Sequence, residues 1–258
     1  MPAFEHKALL ADHVVCCSSV DEVPLGAVRR MLERDSFVCV RGLIRPEEVV
    51  RVKQAWRARF DPANDRPLDP AHPDQVRRNF QCVINRTRRD SAAGRPQLLR
   101  AFYSPLWDED LFGLHALVKI VARFRNLLMG LPPEFALGAP ERGVWTASRI
   151  YQYPRGGGFM IPHRDKRFSS LPGEFGISAY YQMVLVMSRK GVDFQDGGGY
   201  FVSEGKRVFF EQEYELGDLV VYDDQVPHGV QEIDPGTPLD LQSPLGRLAG
   251  FANLYRVL

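Results

Sequence analysis

Cysteine is scarce in this chain, and its distribution excludes the sites that depend on thiol groups. The 258 residues include 4 cysteines, and no two of them form a Cys-x-x-Cys pair. This spacing fits neither a zinc knuckle nor a disulfide framework. We therefore predict reduced thiols and a cytoplasmic protein. The four residues are Cys16, Cys17, Cys39 and Cys82.

An excess of charge of one sign is also absent, and so is any long apolar run. The 33 Lys and Arg residues nearly balance the 32 Asp and Glu residues, with a formal net charge of +1. This balance gives no reason to expect nucleic acid or an anionic membrane as the main partner. No run approaches the roughly 18 apolar residues of a membrane span, and the start of the chain does not resemble a secretory signal. The partner that we predict is a small-molecule substrate, and the oligomeric state is left open.

Helical periodicity appears in three places in the first half of the chain. Residues 24–34 predict a short helix. Pro46 and the two glutamates after it predict the start of a second helix, because a missing N–H and negative charge are favoured there. A third helix is expected over 108–130, with Asp108 as its cap and Gly130 at its end.

Residues 61–100 differ from the segments on either side. They are rich in proline and contain eight arginines against five aspartates, which predicts a long irregular excursion of the kind that often acts as a lid. Its arginines offer a clamp for an anionic group of a substrate, with Arg78 as our candidate, although such a run is more commonly a solvated face. The arginines in question are Arg77, Arg78, Arg86, Arg88 and Arg89.

From residue 144 onward the hydrophobic period changes from helical to alternating. Short segments rich in Val, Tyr and Phe are separated by Gly, Pro or Asp, which predicts an antiparallel barrel or a double-sheet jelly roll. We therefore expect a mainly β fold with flanking helices and a double-stranded β-helix, cupin-like core. The chain 1–258 is predicted to be a single domain, in which a mostly helical part (1–143) covers the jelly roll (144–258).

Two histidines and an aspartate form a candidate metal site. In "FMIPHRDKRF", His163 and Asp165 are one residue apart, so that an alternating strand puts both on one face, together with Phe159 and Ile161. In "GDLVVYDDQVPHGVQEI", a loop delivers His228 at the start of a later strand. Each residue taken alone is more often an ordinary surface or strand-edge side chain. Their combination carries the prediction.

Two histidines and one carboxylate on one face leave three coordination positions open. That arrangement suits non-haem Fe(II) with O2 and a chelating cosubstrate, whereas a structural zinc site closes four positions, usually with thiolates. An arginine in "SPLGRLAGFANLY", Arg247, could bind the far carboxylate of a dicarboxylic cosubstrate. Ala249 and Phe251 share its parity, and the small Ala249 leaves room beside the guanidinium.

The motifs "YPRGGGFMIPHRD", "ELGDLVVYDDQVPHGV" and "GRLAGFANL" together resemble those of Fe(II)/2-oxoglutarate-dependent dioxygenases, in particular the phytanoyl-CoA hydroxylase-like branch. "DSFVCVRGLIRPEEVVRVKQAW" is similar to the N-terminal strand, loop and helix of that branch. The resemblance covers roughly 35–60 and 145–258. It implies Fe(II) at His163, Asp165 and His228, the cosubstrates 2-oxoglutarate and O2, and Arg247 at the far carboxylate.

Several further expectations accompany this resemblance. Tyr151 and Gln152 are predicted to contact the cofactor. "IDPGTPLDLQSP" lengthens the spacing from His228 to Arg247 as an inserted loop, and Arg256 is the alternative anchor, although its parity opposes that of Arg247. Related halogenases carry a small residue at the position of Asp165, so this chain is expected to hydroxylate, with desaturation or ring closure as variants.

The substrate is expected to be a small organic molecule, such as an amino acid or an acidic intermediate of specialised metabolism. Aromatic and polar residues on the strands around the motifs could line its cavity, or could equally be packing between sheets. A cupin-like binding protein or isomerase, and a zinc hydrolase, are the competing interpretations. One of Asp223 and Asp224 is read as a turn former, and the other as a partner of a ligand histidine. The candidate lining residues are Tyr151, Tyr153, Phe159, Tyr180, Gln182 and Tyr200, of which Tyr153, Phe159 and Gln182 join Arg78 as substrate contacts.

Overall fold

The computed structural model describes residues 10–68, 73–85, 97–140, 143–165, 179–203 and 205–256. Within these ranges there are three helices of more than two turns: α1 (Leu25–Asp35), α2 (Pro46–Arg59) and α3 (His115–Leu128). The strands are β1 (Val14–Cys16), β2 (Phe37–Arg41), β3 (Phe80–Ile84), β4 (Gln97–Tyr103), β5 (Val144–Pro154), β6 (Gly158–His163), β7 (Tyr181–Val186), β8 (Gly198–Ser203), β9 (Lys206–Phe209), β10 (Leu219–Asp223), β11 (His228–Ile233) and β12 (Gly246–Arg256).

Two walls of antiparallel strands form the core of the molecule. One wall has the order β10-β7-β12-β5, and the other has the order β6-β11-β8-β9. The chain passes back and forth between the walls, from β5 to β6, to β7, to β8 and β9, to β10, to β11 and finally to β12. This connectivity of two facing sheets is a jelly roll, which confirms the predicted fold class.

The N-terminal half contributes strands as well as helices. β2 pairs with β10 and carries β1 at its edge, while β4 pairs with both β5 and β6 and so joins the two walls. Residues 61–100, predicted to be irregular, therefore contain β3 and the start of β4. These strands are the short apolar runs "FQCVI" (β3) and "QLLRAFY" (β4), which the surrounding arginines and prolines concealed in the sequence. Every residue of β4 is buried. The lid role stays a prediction, and residues 69–72 and 86–96 lie outside the described ranges.

The helices cover the outer face of the first wall and leave its inner face for the space between the walls. Apolar residues of α1, α2 and α3 pack with outward-facing residues of the sheet such as Ile150 and Leu248. Neighbouring residues such as Tyr151 and Tyr153 point the other way because strand side chains alternate. None of the described helices has the combination of length and apolarity that crossing a bilayer requires.

The start of α3 differs from the prediction. Asp110 accepts hydrogen bonds from the backbone N–H groups of Leu114 (2.9 Å) and His115 (3.0 Å) and so caps the helix. Asp108, the predicted cap, instead accepts the backbone N–H of Asn79 at 2.7 Å. Asp108 and Asp110 are separated by one residue, and the position of the first helical turn determines which of the two caps α3.

A Gly-Asp turn starts β10 and ties it to β2. Gly217 has φ +89°, and a Cβ atom at this position would lie 2.4 Å from the carbonyl oxygen of Ile44, so a side chain is excluded. Asp218 is buried and accepts hydrogen bonds from Arg41 Nε (2.9 Å) and Nη2 (2.6 Å) and from the backbone N–H of Glu215 (2.8 Å). The turn thus aligns β10, the strand that leads to the loop before His228.

Replacing Asp218 by alanine should lower the free energy of unfolding by about 3 kcal/mol, because several charge-assisted hydrogen bonds are lost together. Glu215→Ala is the matched control: its carboxylate lies 3.8 Å from Arg41 Nη1 and is 71% exposed, so its loss should cost less than about 1 kcal/mol. Urea denaturation of both variants measures the difference. Equal losses would contradict the assigned role of Asp218.

Candidate metal centre

Three predicted ligands meet where β6 and β11 lie side by side. His163 is the last residue of β6 and lies directly opposite His228, the first residue of β11. The two imidazole rings are 4.2 Å apart between centroids. Asp165 follows β6 by two residues, and one potential ligand atom from each of the three side chains lies within 4.8 Å of the others. The structure therefore brings together the three side chains that the motifs predict.

The orientation of both imidazoles suits metal binding. His163 Nδ1 lies 3.0 Å from the carbonyl oxygen of Ile161, and His228 Nδ1 lies 2.9 Å from that of Val226. Because a carbonyl oxygen only accepts hydrogen bonds, Nδ1 carries the proton in each ring and Nε2 keeps its lone pair. The Nε2 atoms of His163 and His228 lie 3.7 Å and 3.3 Å from the Asp165 carboxylate oxygens. Both lone pairs thus face the carboxylate.

Asp165 is held in place from two sides. Its backbone N–H donates to the carbonyl oxygen of Asp224 at 3.2 Å, and Gln182 Nε2 donates to its Oδ2 at 2.6 Å. Burial opposes ionisation of this carboxyl, but before a metal ion binds the neighbouring imidazoles of His228 and His163 outweigh burial and lower its pKa. Two neutral imidazole nitrogens and one ionised carboxylate are a donor set that could bind Fe(II), and the site fits that ion.

The structure assigns individual roles to two neighbouring aspartates and to Gln182. Asp223 accepts the backbone N–H of Gln225 at 2.8 Å and forms the turn before His228, as predicted. The Asp224 carboxylate accepts from the Gln225 side-chain amide at 2.8 Å, so it is the carbonyl of Asp224, and not its side chain, that supports the site. Gln182, predicted to line the substrate cavity, instead orients a ligand.

A bulge in β6 overturns the predicted parity before His163. His163 pairs with His228 but Met160 pairs with Val230, so that three steps on β6 match two steps on β11. One extra residue reverses the alternation. Met160 therefore faces the core at 9% exposure, whereas Ile161 is 36% exposed. Phe159, adjacent to Met160, does not share the face of His163, and the structure does not support its predicted contact with substrate.

Arg247 lies on the inner face of β12, as predicted, but it already has an anionic partner. It is 2% exposed, pairs with Tyr153 across the strands, and its guanidinium lies between the rings of Tyr153 (5.1 Å) and Phe210 (5.7 Å). Its Nε donates to Oε1 of the buried Glu211, whose Oε2 accepts the backbone N–H of Gly199 at 2.5 Å. Sequence reasoning missed Glu211, because nothing in "VFFEQEYE" separates it from its exposed neighbours.

The Arg247–Glu211 pair constrains how a dicarboxylate could bind here. A Cβ atom at position 199 would lie 2.6 Å from Arg247 Nη2, so glycine is required for this placement of the guanidinium. A second carboxylate at Arg247 would put two negative charges beside one positive charge in a buried site, which is electrostatically unfavourable. A cosubstrate would therefore have to use the donors of Arg247 other than Nε.

The predicted cosubstrate contacts Tyr151 and Gln152 lie on opposite faces of β5. The Tyr151 hydroxyl is on the inner face and accepts a hydrogen bond from Arg149 Nη1 at 2.7 Å. Gln152 is on the outer face, where its Oε1 accepts from Arg100 Nη1 at 2.5 Å and its Nε2 donates to the carbonyl oxygen of Leu245 at 2.8 Å. Consecutive strand residues cannot both face inward, so Gln152 does not reach the predicted contact.

Other candidate residues are spread around the fold. Arg78 is exposed in the segment before β3, and its role as a clamp stays a prediction. Tyr180 accepts the backbone N–H of Leu254 at 3.1 Å, and Tyr200 packs against Phe209 with 5.5 Å between ring centroids; both therefore serve packing. Arg77 pairs with Asp74 at 3.0 Å. Arg86, Arg88 and Arg89 lie outside the described residues.

Tyr222 is a further site residue that the sequence analysis did not select. Its ring lies 4.7 Å from the His228 ring. Burial and the charge of Asp165 raise the pKa of its phenol, and the charge of Arg247 offsets only part of this increase. Tyr222 therefore lies beside His228 at the metal cluster. Its strand position in "LVVYD" was the available signal, since it has the parity of Val220 on the inner face.

A scan of protein-family models and a search of curated proteins found no match to this chain. Solved structures do match. An oxidoreductase of the 2OG-Fe(II) oxygenase family from Burkholderia pseudomallei aligns with 11% identity over 94% of this chain and 96% of its own, with a TM-score of 0.50. The epimerase SnoN from nogalamycin biosynthesis, in complex with Fe3+, alpha ketoglutarate and nogalamycin RO, aligns with 14% identity over 90% of this chain and 83% of its own, with a TM-score of 0.53.

A prolyl hydroxylase from Trichoplax adhaerens, in complex with a hypoxia inducible factor peptide fragment, aligns with 13% identity over 88% of this chain and 87% of its own, with a TM-score of 0.53. At these identities the likeness concerns the fold. The chain has the jelly-roll fold of these oxygenases over nearly its whole length.

Gln182→Leu should weaken binding of a divalent metal by about tenfold, because the amide that orients Asp165 is lost. Gln152→Leu is the matched control. It removes a buried amide from the outer face of the same wall, away from Asp165, and should leave metal affinity unchanged. Calorimetric titration of Fe(II), without O2, gives both constants. A larger loss in the Gln152 variant would contradict the assignment.

Glu211→Gln should strengthen 2-oxoglutarate binding by about tenfold, because the competing negative charge is removed. The amide oxygen can still align Arg247, at the cost of the hydrogen bond from the Gly199 N–H. Anaerobic calorimetry with Fe(II)-loaded protein measures this constant. Asp193→Asn is the control: it removes an acid that pairs with Lys53 at 2.6 Å and should not alter binding. Weaker binding after Glu211→Gln would show that the charge of Glu211 supports the cosubstrate site.

Proposed function

We propose that this protein is a non-haem Fe(II)- and 2-oxoglutarate-dependent oxygenase that hydroxylates a small organic molecule. The observation that carries the proposal is the convergence of His163, Asp165 and His228 at the adjoining ends of two strands. The jelly-roll fold supports it, and so does the buried arginine on the inner face of β12.

Each ligand has a defined part in this proposal. Nε2 of His163, Nε2 of His228 and the carboxylate of Asp165 would hold iron on one side and leave the other side accessible. Bound Fe(II), with 2-oxoglutarate and O2, would supply the oxidising chemistry. Strand ends positioned by a ladder of backbone hydrogen bonds hold ligands more rigidly than a free loop does, so β6 and β11 pre-organise the donor set.

The surrounding residues would bind the cosubstrate and exclude water. Arg247 would contribute its remaining N–H donors to the far carboxylate, and the phenols of Tyr153 and Tyr222 would line the path from the metal. Val184 and Phe201 belong to the buried apolar cluster of the inner face. A dry lining of this kind strengthens the electrostatic contacts inside the site and protects reactive species from side reactions.

The narrower parts of the proposal rest on single positions. Asp165 occupies a position at which related halogenases have a small residue, which supports hydroxylation, with desaturation or ring closure as variants. The β2–α2 segment supports the phytanoyl-CoA hydroxylase-like branch. The substrate class that we propose is an amino acid or another small acid. A cytoplasmic location and a part in specialised metabolism remain predictions from the sequence.

A second candidate function is that of a cupin-like metal-binding isomerase or binding protein on the same jelly roll. The observation that favours it is the Arg247–Glu211 pair, since a site without a dicarboxylic cosubstrate needs no unpaired arginine. The same three ligands would then hold a metal that organises a ligand without oxygen chemistry.

Anaerobic addition of Fe(II) and 2-oxoglutarate should produce a visible metal-to-keto-acid charge-transfer band. His163→Ala and His228→Ala should each abolish it, because either change removes a ligand. His115→Ala is the control, since His115 is a buried histidine of α3 that bonds Ser104 at 2.9 Å and should leave the band intact. Metal binding without any band in the unaltered protein would favour the second candidate function.

A further inference from the structure

A second buried arginine lies on the inner face of β5. Arg149 is 5% exposed, and its Nη1 donates to the hydroxyls of Tyr151 (2.7 Å) and Tyr255 (2.6 Å). Its Cζ lies 5.8, 4.9, 5.4 and 5.1 Å from the ring centroids of Tyr103, Tyr151, Phe251 and Tyr255, respectively. We call these four rings the aromatic cage of Arg149.

The cage contains no counter-charge for the guanidinium. Burial raises the pKa of Tyr151 to about 12 and that of Tyr103 well above its usual value, so both phenols stay neutral at physiological pH. Within the described ranges, no carboxylate lies within 4.0 Å of Arg149 as an ion-pair partner. Asp165 is near enough for Arg149 to help lower its pKa, yet the two form no ion pair. A buried cation without an anion is unfavourable.

Two donors of this region also lack acceptors. Arg149 Nε and Trp145 Nε1 are buried and have no hydrogen-bond partner among the residues that the structure describes. Both side chains have the same parity on β5, and both contact Tyr255, whose ring lies 5.7 Å from that of Trp145. Buried donors are nearly always paired in folded proteins, so a pair of unsatisfied donors on one face indicates an acceptor that binds there.

The other buried arginines of the described ranges have either an anionic partner or acceptors for their donors. Arg100 pairs with Asp65 at 2.6 Å, and Arg247 pairs with Glu211. Arg125 donates to the carbonyl oxygen of Ala252 and to Thr146 Oγ1 at 3.0 Å. Among the described buried arginines, Arg149 is thus the one whose Nε has no acceptor, and it lies on the face that looks into the space between the walls.

We propose that Arg149 and its aromatic cage bind the anionic group of the primary substrate, a carboxylate or a similar oxyanion attached to an apolar or aromatic body. This inference rests on the proposed function and names the substrate chemistry for the same site. Oxyanion acceptors would satisfy Nε and the charge together, and the rings would cover the apolar body.

The position of the cage separates it from the predicted cosubstrate anchor. Arg247 is the register partner of Tyr153, which follows Arg149 by four residues on the same face of β5, a distance of about 13 Å along a strand. The partner of Arg149 across the strands, Phe251, is in turn opposite Val184 of β7, two residues from the Gln182 that orients Asp165. The cage is therefore one inward-facing row from Gln182 and two rows from Arg247 on the same face of the wall.

Benzoate and benzamide test this inference, because they share size and shape and differ in charge. Calorimetry on the full-length protein, under anaerobic conditions with and without Fe(II) and 2-oxoglutarate, should show at least about tenfold tighter binding of benzoate. Arg149→Gln should abolish that preference, and Arg149→Lys should keep part of it. Trp145→Phe, which removes one N–H but keeps a ring, should weaken benzoate severalfold.

The control is Arg207→Gln, which removes an exposed arginine that lies 4.6 Å from the ring of Tyr200 and should change nothing; circular dichroism checks the fold of each variant. Equal binding of benzoate and benzamide to the unaltered protein would overturn the proposal, a result that requires no variant to fold. It would also be overturned if Arg149→Gln kept the preference but lost 2-oxoglutarate binding, since the cage would then hold the cosubstrate. A charge preference without any charge-transfer band would instead count against the oxygenase.

Discussion

The pairing of β6 with β11 is the constraint on which the rest of the site depends. It places His163 directly opposite His228, although the two residues are far apart in the sequence. Backbone hydrogen bonds of a ladder define the register, and a slip of one residue would turn a ligand to the other face. The bulge between Met160 and His163 then lets an apolar residue face the core and a ligand face the metal centre on the same short strand.

The two faces of the first wall differ in composition, which explains how charged groups are accommodated inside a largely apolar fold. Three helices cover the outer face, and the largest apolar cluster of the described residues is formed there. The inner face carries ionisable groups beside smaller apolar clusters. Arg247 and Arg149 lie on it, and Asp165 faces it from the end of β6 in the second wall, where Gln182 of β7 contacts its carboxylate.

The two inner arginines illustrate two ways of keeping a buried charge. Arg247 is neutralised by Glu211, whose second oxygen is taken by a backbone N–H, so that its charge is compensated within the protein. Arg149 has only neutral phenols and aromatic faces around it, which reduce the penalty through hydrogen bonds and cation–π contacts but supply no negative charge. An incoming anion gains more at the second type of site than at the first.

The sequence by itself determined the class of fold and the metal-binding trio. Alternating apolar residues predict strands locally, and each ligand belongs to a short motif whose spacing can be read directly. The tertiary structure decided the rest: the strands within 61–100, the bulge that turns Phe159 away, the outward placement of Gln152, and the partnerships of Gln182, Glu211, Tyr222 and Arg149. Those contacts join strands that are distant in sequence. The register of these strands depends on the packing of both walls, which no local sequence pattern indicates.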